Sequence, residues 1–180
     1  MKKTLVIILG LLTLPFFLIS KDPVASPGAN FQFAPPSPWK KSEMKGADAS
    51  WIIPGEVSRP SITISSNVNE DFLNPKNMNE AELIPAIEQT RAIPYRIFGI
   101  SDWKIEKHHV SPYSEGLVLE FEGHYHSPGG AQVRFVERDY FLGFNSYTVI
   151  FSEDLTTSPP KDNEQIKKWL DRFKAERKSS

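Results

Sequence analysis

The sequence predicts an α+β domain: one antiparallel sheet of six to seven strands with helices packed on it, in the order βββ-α-ββββ-α. Three observations predict it. The second half of the chain holds four strand-like stretches in succession, at about 103–110, 115–126, 131–142 and 146–153, separated only by short breakers. Strands joined so tightly run antiparallel, because a parallel pair needs a crossover of about a dozen residues or more. Helical patterns after residue 79 and after residue 162 interrupt and then end the series.

The chain begins Met1, Lys2, Lys3 and continues into an apolar run from Leu5 to Ile19, broken by Gly10 and Pro15. A spanning helix wants about 20 apolar residues, so this shorter and interrupted run fits a secretory signal peptide. The expected organisation is a signal peptide over 1–20, a linker over 21–30 and one domain over 31–180. An uncleaved anchor is the alternative, because the cleavage site is poorly marked: prolines at 23 and 27 crowd the cuts after Ala25 and Ser26. The expected location is therefore periplasmic or secreted, with a membrane-anchored domain facing the periplasm as the other version. With no cysteine, the chain offers no lipoprotein attachment residue and no disulfide, so an exported domain must rely on its core.

Residues 21–38 are rich in proline and small residues and lead into a first strand at Phe31–Phe33. Prolines at 35, 36 and 38 hold the approach to Trp39 extended or turning. Strands follow at 49–54 and 61–66; in the second, Ile62 and Ile64 alternate with Thr63 and Ser65, the period of a half-buried strand. The stretch 67–79 is polar and rich in asparagine and reads as a loop. Asn67-x-Asn69-x-Asp71 imitates half a calcium loop, but Phe72 stands where glycine is needed and Met78 where glutamate is needed. Asn79 and Glu82 have the spacing of a reciprocal cap, opening a helix whose apolar face is Leu83, Ile87 and Ala86. Pro85 either kinks this helix or marks its true first turn. After the four strands, Pro159-Pro160 stops the sheet. Asp162 or Asn163 then caps a helix with Ile166, Trp169, Leu170 and Phe173 on one face.

The opening strand Phe31-x-Phe33, the proline that follows and Trp39 a few residues on, together with this element order, resemble the PsbP-like family. The resemblance covers about residues 29–176 and is mostly topological. It implies a sandwich with the sheet between helices, and a non-enzymatic role. Members include an extrinsic subunit of the photosynthetic oxygen-evolving complex, a nuclear Ran-binding protein and bacterial envelope proteins, whose common theme is binding another protein. The family shares no catalytic residue set, so none is carried over.

All four histidines fall at 108, 109, 124 and 126. His124 and His126 share one face of a strand, half of a common metal geometry, and a small metal-binding module built on them is the alternative function. If the 111–115 turn pairs Val110 with Gly116, His108 lies opposite Val118, about 20 Å from His124 at ~3.3 Å per residue. In that register Glu122 lies opposite Lys104, and a three-residue turn at 127–129 sets Arg134 on its other side. A carboxylate so flanked is expected to form cross-strand ion pairs rather than complete a metal triad.

The four tryptophans, Trp39, Trp51, Trp103 and Trp169, are expected mostly in the core, with Trp39 the candidate for exposure. Lys174, Arg177 and Lys178 are expected to complement the C-terminal dipole of the last helix. The net charge is −1, without the basic excess of a nucleic-acid binder. No cysteine nucleophile, G-x-S-x-G, H-E-x-x-H, P-loop or G-x-G-x-x-G is present. The expectation is an exported, non-enzymatic accessory protein that engages an unidentified envelope protein and holds no cofactor.

Overall fold

Successive side chains along the central strands enter two buried layers rather than one. In a computed structural model, which describes residues 31–68, 79–114, 116–143 and 145–175, Leu117, Leu119 and Phe121 point to one side of the sheet. Val118, Glu120 and Glu122 point to the other. Each layer is closed by a helix, so the α+β class and the antiparallel sheet with helices packed on it are as the element order implied.

The main sheet has seven strands: β2 (Lys40–Ser42), β3 (Ala49–Ile52), β4 (Ser61–Val68), β5 (Ser101–Tyr113), β6 (Gly116–His126), β7 (Gln132–Leu142) and β8 (Asn145–Asp154). Their spatial order is β2-β3-β4-β8-β7-β6-β5, every neighbour antiparallel. Two meanders are thus joined where β4 pairs with β8, Ser61 opposite Ser152 and Val68 opposite Asn145.

Helix α1 (Glu80–Ile97) covers the first layer. The Ala81 N–H donates to the Asn79 side-chain oxygen (3.1 Å), the start that Asn79 led one to expect. Pro85 lies inside the helix rather than at its first turn, and is exposed, so the amide it lacks is lost on the solvent side. Ile84 and Ile87, one turn apart, meet Leu117, Leu119, Phe121, Phe135 and Phe141.

Helix α2 (Asn163–Leu170) covers the second layer. Its N-cap is Asp162, whose carboxylate accepts from the Glu164 N–H, so Asp162 and not Asn163 opens it. Ile166, Leu170 and the following Phe173 are buried against Ile62, Ile64, Val136, Val149 and Phe151. Each such side chain contributes about 1.5–3 kcal/mol by leaving water.

Three expectations need correction. The strand at Phe31 does not join the main sheet; β1 (Phe31–Gln32) pairs with β9 (Lys174–Ala175) in a two-stranded ribbon. Phe31 there rests on Phe173 and Tyr147, so aromatic packing draws it across the second layer. The place of a first sheet strand is taken by Lys40–Ser42, too short and polar to show a pattern. Finally, α2 ends at Leu170 and Lys174 belongs to β9, so the cations near the helix C-terminus are Lys167 and Lys168. The leader, the 21–30 linker, most of the 67–79 loop and residues 177 and 178 lie outside the described residues. Among the described residues, no helix is long and apolar enough to cross a membrane.

Candidate functional site

Three clusters were candidates to carry function. The first is the histidine strand. Tyr113 pairs with Gly116, a tighter turn than expected, so His108 lies opposite Phe121 and Glu122 opposite Lys107. On the other side the turn is longer: His126 pairs with Gln132, which puts Arg134 opposite His124 and Val136 opposite Glu122. Irregularities between Ser101 and Lys104 and between Ile105 and Lys107 shift β5 along β6. His124 and His126 share a face, as alternation requires, but each turns to its own carboxylate. His124 Nδ1 is 3.0 Å from Glu106 Oε1, and His126 Nδ1 is 3.2 Å from Asp102 Oδ2. His109 lies opposite Glu120, four positions from His124 and so about 13 Å away. Among the described residues no three His, Asp or Glu side chains gather around one point as a metal would need.

The second cluster is the charged layer beneath α2. Glu120 takes Arg138 Nε at 2.7 Å and Lys167 Nζ at 3.0 Å, while Arg138 also holds Asp171 at 2.7 Å. Glu122 is bonded by Asn163 (2.9 Å) and by Lys167 (3.1 Å), with Lys107 3.7 Å away. An ion-paired Glu122 was expected, but its cations are Lys107 and Lys167 rather than Lys104 and Arg134. Burial pushes the Glu120 carboxyl up, yet Arg138 and Lys167 outweigh it and hold it below the ordinary carboxylate range. Arg134 donates to Asn163, the Lys161 carbonyl and Glu153. Lys161 in turn bonds Glu56. These groups satisfy one another, so the cluster reads as the seat of α2.

Glu153 is the weak member. Its side chain is fully buried; one oxygen accepts from the Lys161 N–H at 2.9 Å, and the other has no hydrogen-bond partner among the described residues. Burial raises its carboxyl above the ordinary value against the pull of Lys161 and Arg134.

The third cluster is a recess between the end of α1 and the sheet, with a volume of about 80 Å³, lined by Tyr95, Ile100, Trp103, Tyr125, Phe135, Glu137 and Ile150. One of its walls, the Phe135 ring, packs over a glycine. A Cβ on Gly123 would lie 2.0 Å from the Lys104 carbonyl oxygen and 2.7 Å from Phe135 Cζ. The bare position lets the irregular end of β5 fold close and lets the Phe135 ring lie over β6. Trp103 stacks on that ring (centroids 5.6 Å, planes 6° apart), and Tyr95 leans on Trp103 at 5.7 Å. Tyr125 flanks Phe135 at 6.3 Å, its phenol pushed up by burial. Glu137 is 2% exposed.

Of the tryptophans, Trp39 is buried at 8% exposure against Phe151 and Trp169, contrary to the suspicion of exposure. Trp51, Trp103 and Trp169 are half-buried, and Trp103 is the one that lines the recess. The other recess residues were missed from sequence. Their signal was a glycine inside an aromatic strand and a carboxylate at 137 sharing the period of Phe135 and Phe141.

An antiparallel sheet closed on both faces by helices defines an α+β sandwich. No family model matches this chain, and no curated protein matches it. Among solved structures, it is similar to a protein from Bacteroides thetaiotaomicron VPI-5482, with 11% identity and a TM-score of 0.51 over 82% of this chain and 46% of that one. It is also similar to LpqN, involved in cell envelope biogenesis of Mycobacterium tuberculosis, with 10% identity, a TM-score of 0.49, and coverage of 84% and 80%. At such identities the first likeness speaks for the fold alone, and the second TM-score does not establish even that. The chain spans about half the length of the Bacteroides protein.

Proposed function

We propose that this is an exported, non-enzymatic accessory protein of the cell envelope that binds another protein, with the recess beside Trp103 as the contact point. The observation that carries the reading is the size of that recess. Pockets that enclose a drug-sized ligand run to roughly 300–1,000 Å³. About 80 Å³ takes one side chain, not a metabolite. A concave aromatic anchor point of that scale suits a partner that inserts a single residue and makes its remaining contacts on the surrounding surface. The basic and apolar start of the chain supports export, and the two-faced sandwich agrees with the resemblance to PsbP-like proteins.

The test is a photo-crosslinking residue in place of Ile100, at the recess, and in place of Lys40, on the opposite edge strand of the sheet. The expected result is one polypeptide captured from the envelope fraction at position 100, not at position 40, and lost when Tyr125→Leu is added. Equal capture at both positions, or none at position 100, refutes the recess as the contact. Turnover of a substrate that a point substitution abolishes while the fold persists would refute the non-enzymatic reading. The mass of the purified chain decides export by cleavage: a start near Lys21 or Pro27 supports it, and a start at Met1 favours the anchor.

A further inference from the structure

We propose that the recess beside Trp103 recognises a cation: a single ammonium group, bare or methylated, as on a lysine side chain. This deepens the preceding reading by naming the partner's inserted residue, and rests on it only for the source of the group.

Four of the seven lining residues are aromatic: Tyr95, Trp103, Tyr125 and Phe135. Ring faces carry partial negative charge, and they attract an ammonium most strongly where water is displaced. Among the described residues the lining includes one carboxylate, Glu137, and no basic side chain. Glu137 already interacts with neighbours in the fold. The rings therefore supply the attraction, and the carboxylate sets the sign of the wall.

Size narrows the choice further. A cavity of about 150 Å³ holds the six heavy atoms of benzene, so about 80 Å³ suits a group of roughly three heavy atoms. An ammonium with up to two methyl groups fits; an aromatic side chain does not. A leucine tip also fits by volume but gains nothing from the rings' charge, and it would strip water from a carboxylate-bearing wall. Charge, not volume, decides between them.

The experiment titrates the full chain with dimethylammonium chloride, with ethanol as a neutral control of equal heavy-atom count, at constant ionic strength. Tryptophan emission is followed throughout. The expected result is a saturable change with the cation and at least about tenfold weaker binding of the alcohol. Tyr125→Leu should weaken cation binding about fivefold or more, with far-ultraviolet circular dichroism confirming the fold. If that variant does not fold, the comparison of cation with alcohol on the natural chain still decides. No saturable change, or equal binding of the two compounds, overturns the proposal. Nα-acetyl-lysine amide and its dimethyl form distinguish the source: saturable binding of either supports a polypeptide side chain, and binding of dimethylammonium alone supports a free alkylamine. Crosslinking at position 100 without any cation preference would sink this inference and leave the protein-binding reading standing.

Discussion

Replacing Gly123 by alanine tests the construction of the recess directly. The added methyl group would stand 2.0 Å from the Lys104 carbonyl oxygen, where even a close C–H···O contact needs about 3.3 Å. The obstacle is backbone, so relief requires β5 to move away by about 1 Å or more where Ile105 pairs with Gly123. The Phe135 ring, 2.7 Å from the same point, must also shift, and it carries Trp103 on its other side. Overpacking of this kind costs about 1–3 kcal/mol, and a backbone clash sets the value near the upper end. For a domain of this size that lowers Tm by about 6–12 °C. The assay is thermal unfolding followed by circular dichroism, with urea midpoints confirming an unchanged m-value. Gly129→Ala is the control: its nearest atom would be Ser127 Oγ at 3.9 Å, and its stability should stay within about 0.5 kcal/mol of the natural chain. A fall of less than about 2 °C in Gly123→Ala would refute the account of why the strand carries a glycine.

Other predictions concern the charged layer and the cap. Burial raises the Glu153 carboxyl, so the folded chain holds this proton more tightly than the unfolded one. The stabilisation is complete below the ordinary glutamate value of the unfolded chain and is lost as pH rises through the folded value. Glu153→Gln should therefore gain on the natural chain between pH 4 and pH 7.5 in urea unfolding; a difference independent of pH would contradict this. Arg138→Met should cost about 2–3 kcal/mol, below the 3–5 of a fully orphaned charge, because Glu120 keeps Lys167 at 3.0 Å. Adding Glu120→Leu should recover part of that loss, and strict additivity in the double-mutant cycle would show the pair is uncoupled. Asp162→Ala should cost about 1 kcal/mol by removing the cap of α2, measured as a shift in the urea midpoint.

Much of the fold was legible because alternation and turn chemistry are local. The four strands of the second half and the helix with Ile166 and Leu170 follow from spacing alone. What was not legible depends on distant pairing. Nothing near Phe31 says that its partner is Ala175, and nothing near Lys40 shows that three polar residues make an edge strand. The tighter turn after Tyr113 moved the register of β5 on β6, and with it the partners of His108 and Glu122, because hairpin register depends on one or two residues in a turn. The recess was hardest to see. It is assembled from the end of α1 and four strands, and its marker, Gly123, reads locally as nothing more than a weak strand residue.

The junction between β4 and β8 carries a kinetic consequence. Ser61 and Ser152, joined by a 2.8 Å hydroxyl hydrogen bond, are separated by 91 positions in the chain. Every pairing that unites the two meanders has to close a loop of comparable size, and that entropy is lost before any contact repays it. The strands β2 to β4 are made first and can form only a three-stranded ribbon with an open flank until β8 arrives. A chain arranged this way commits to its final shape late, when its last strand is free to dock. If it is threaded through a membrane in extended form, its sheet is completed on the far side.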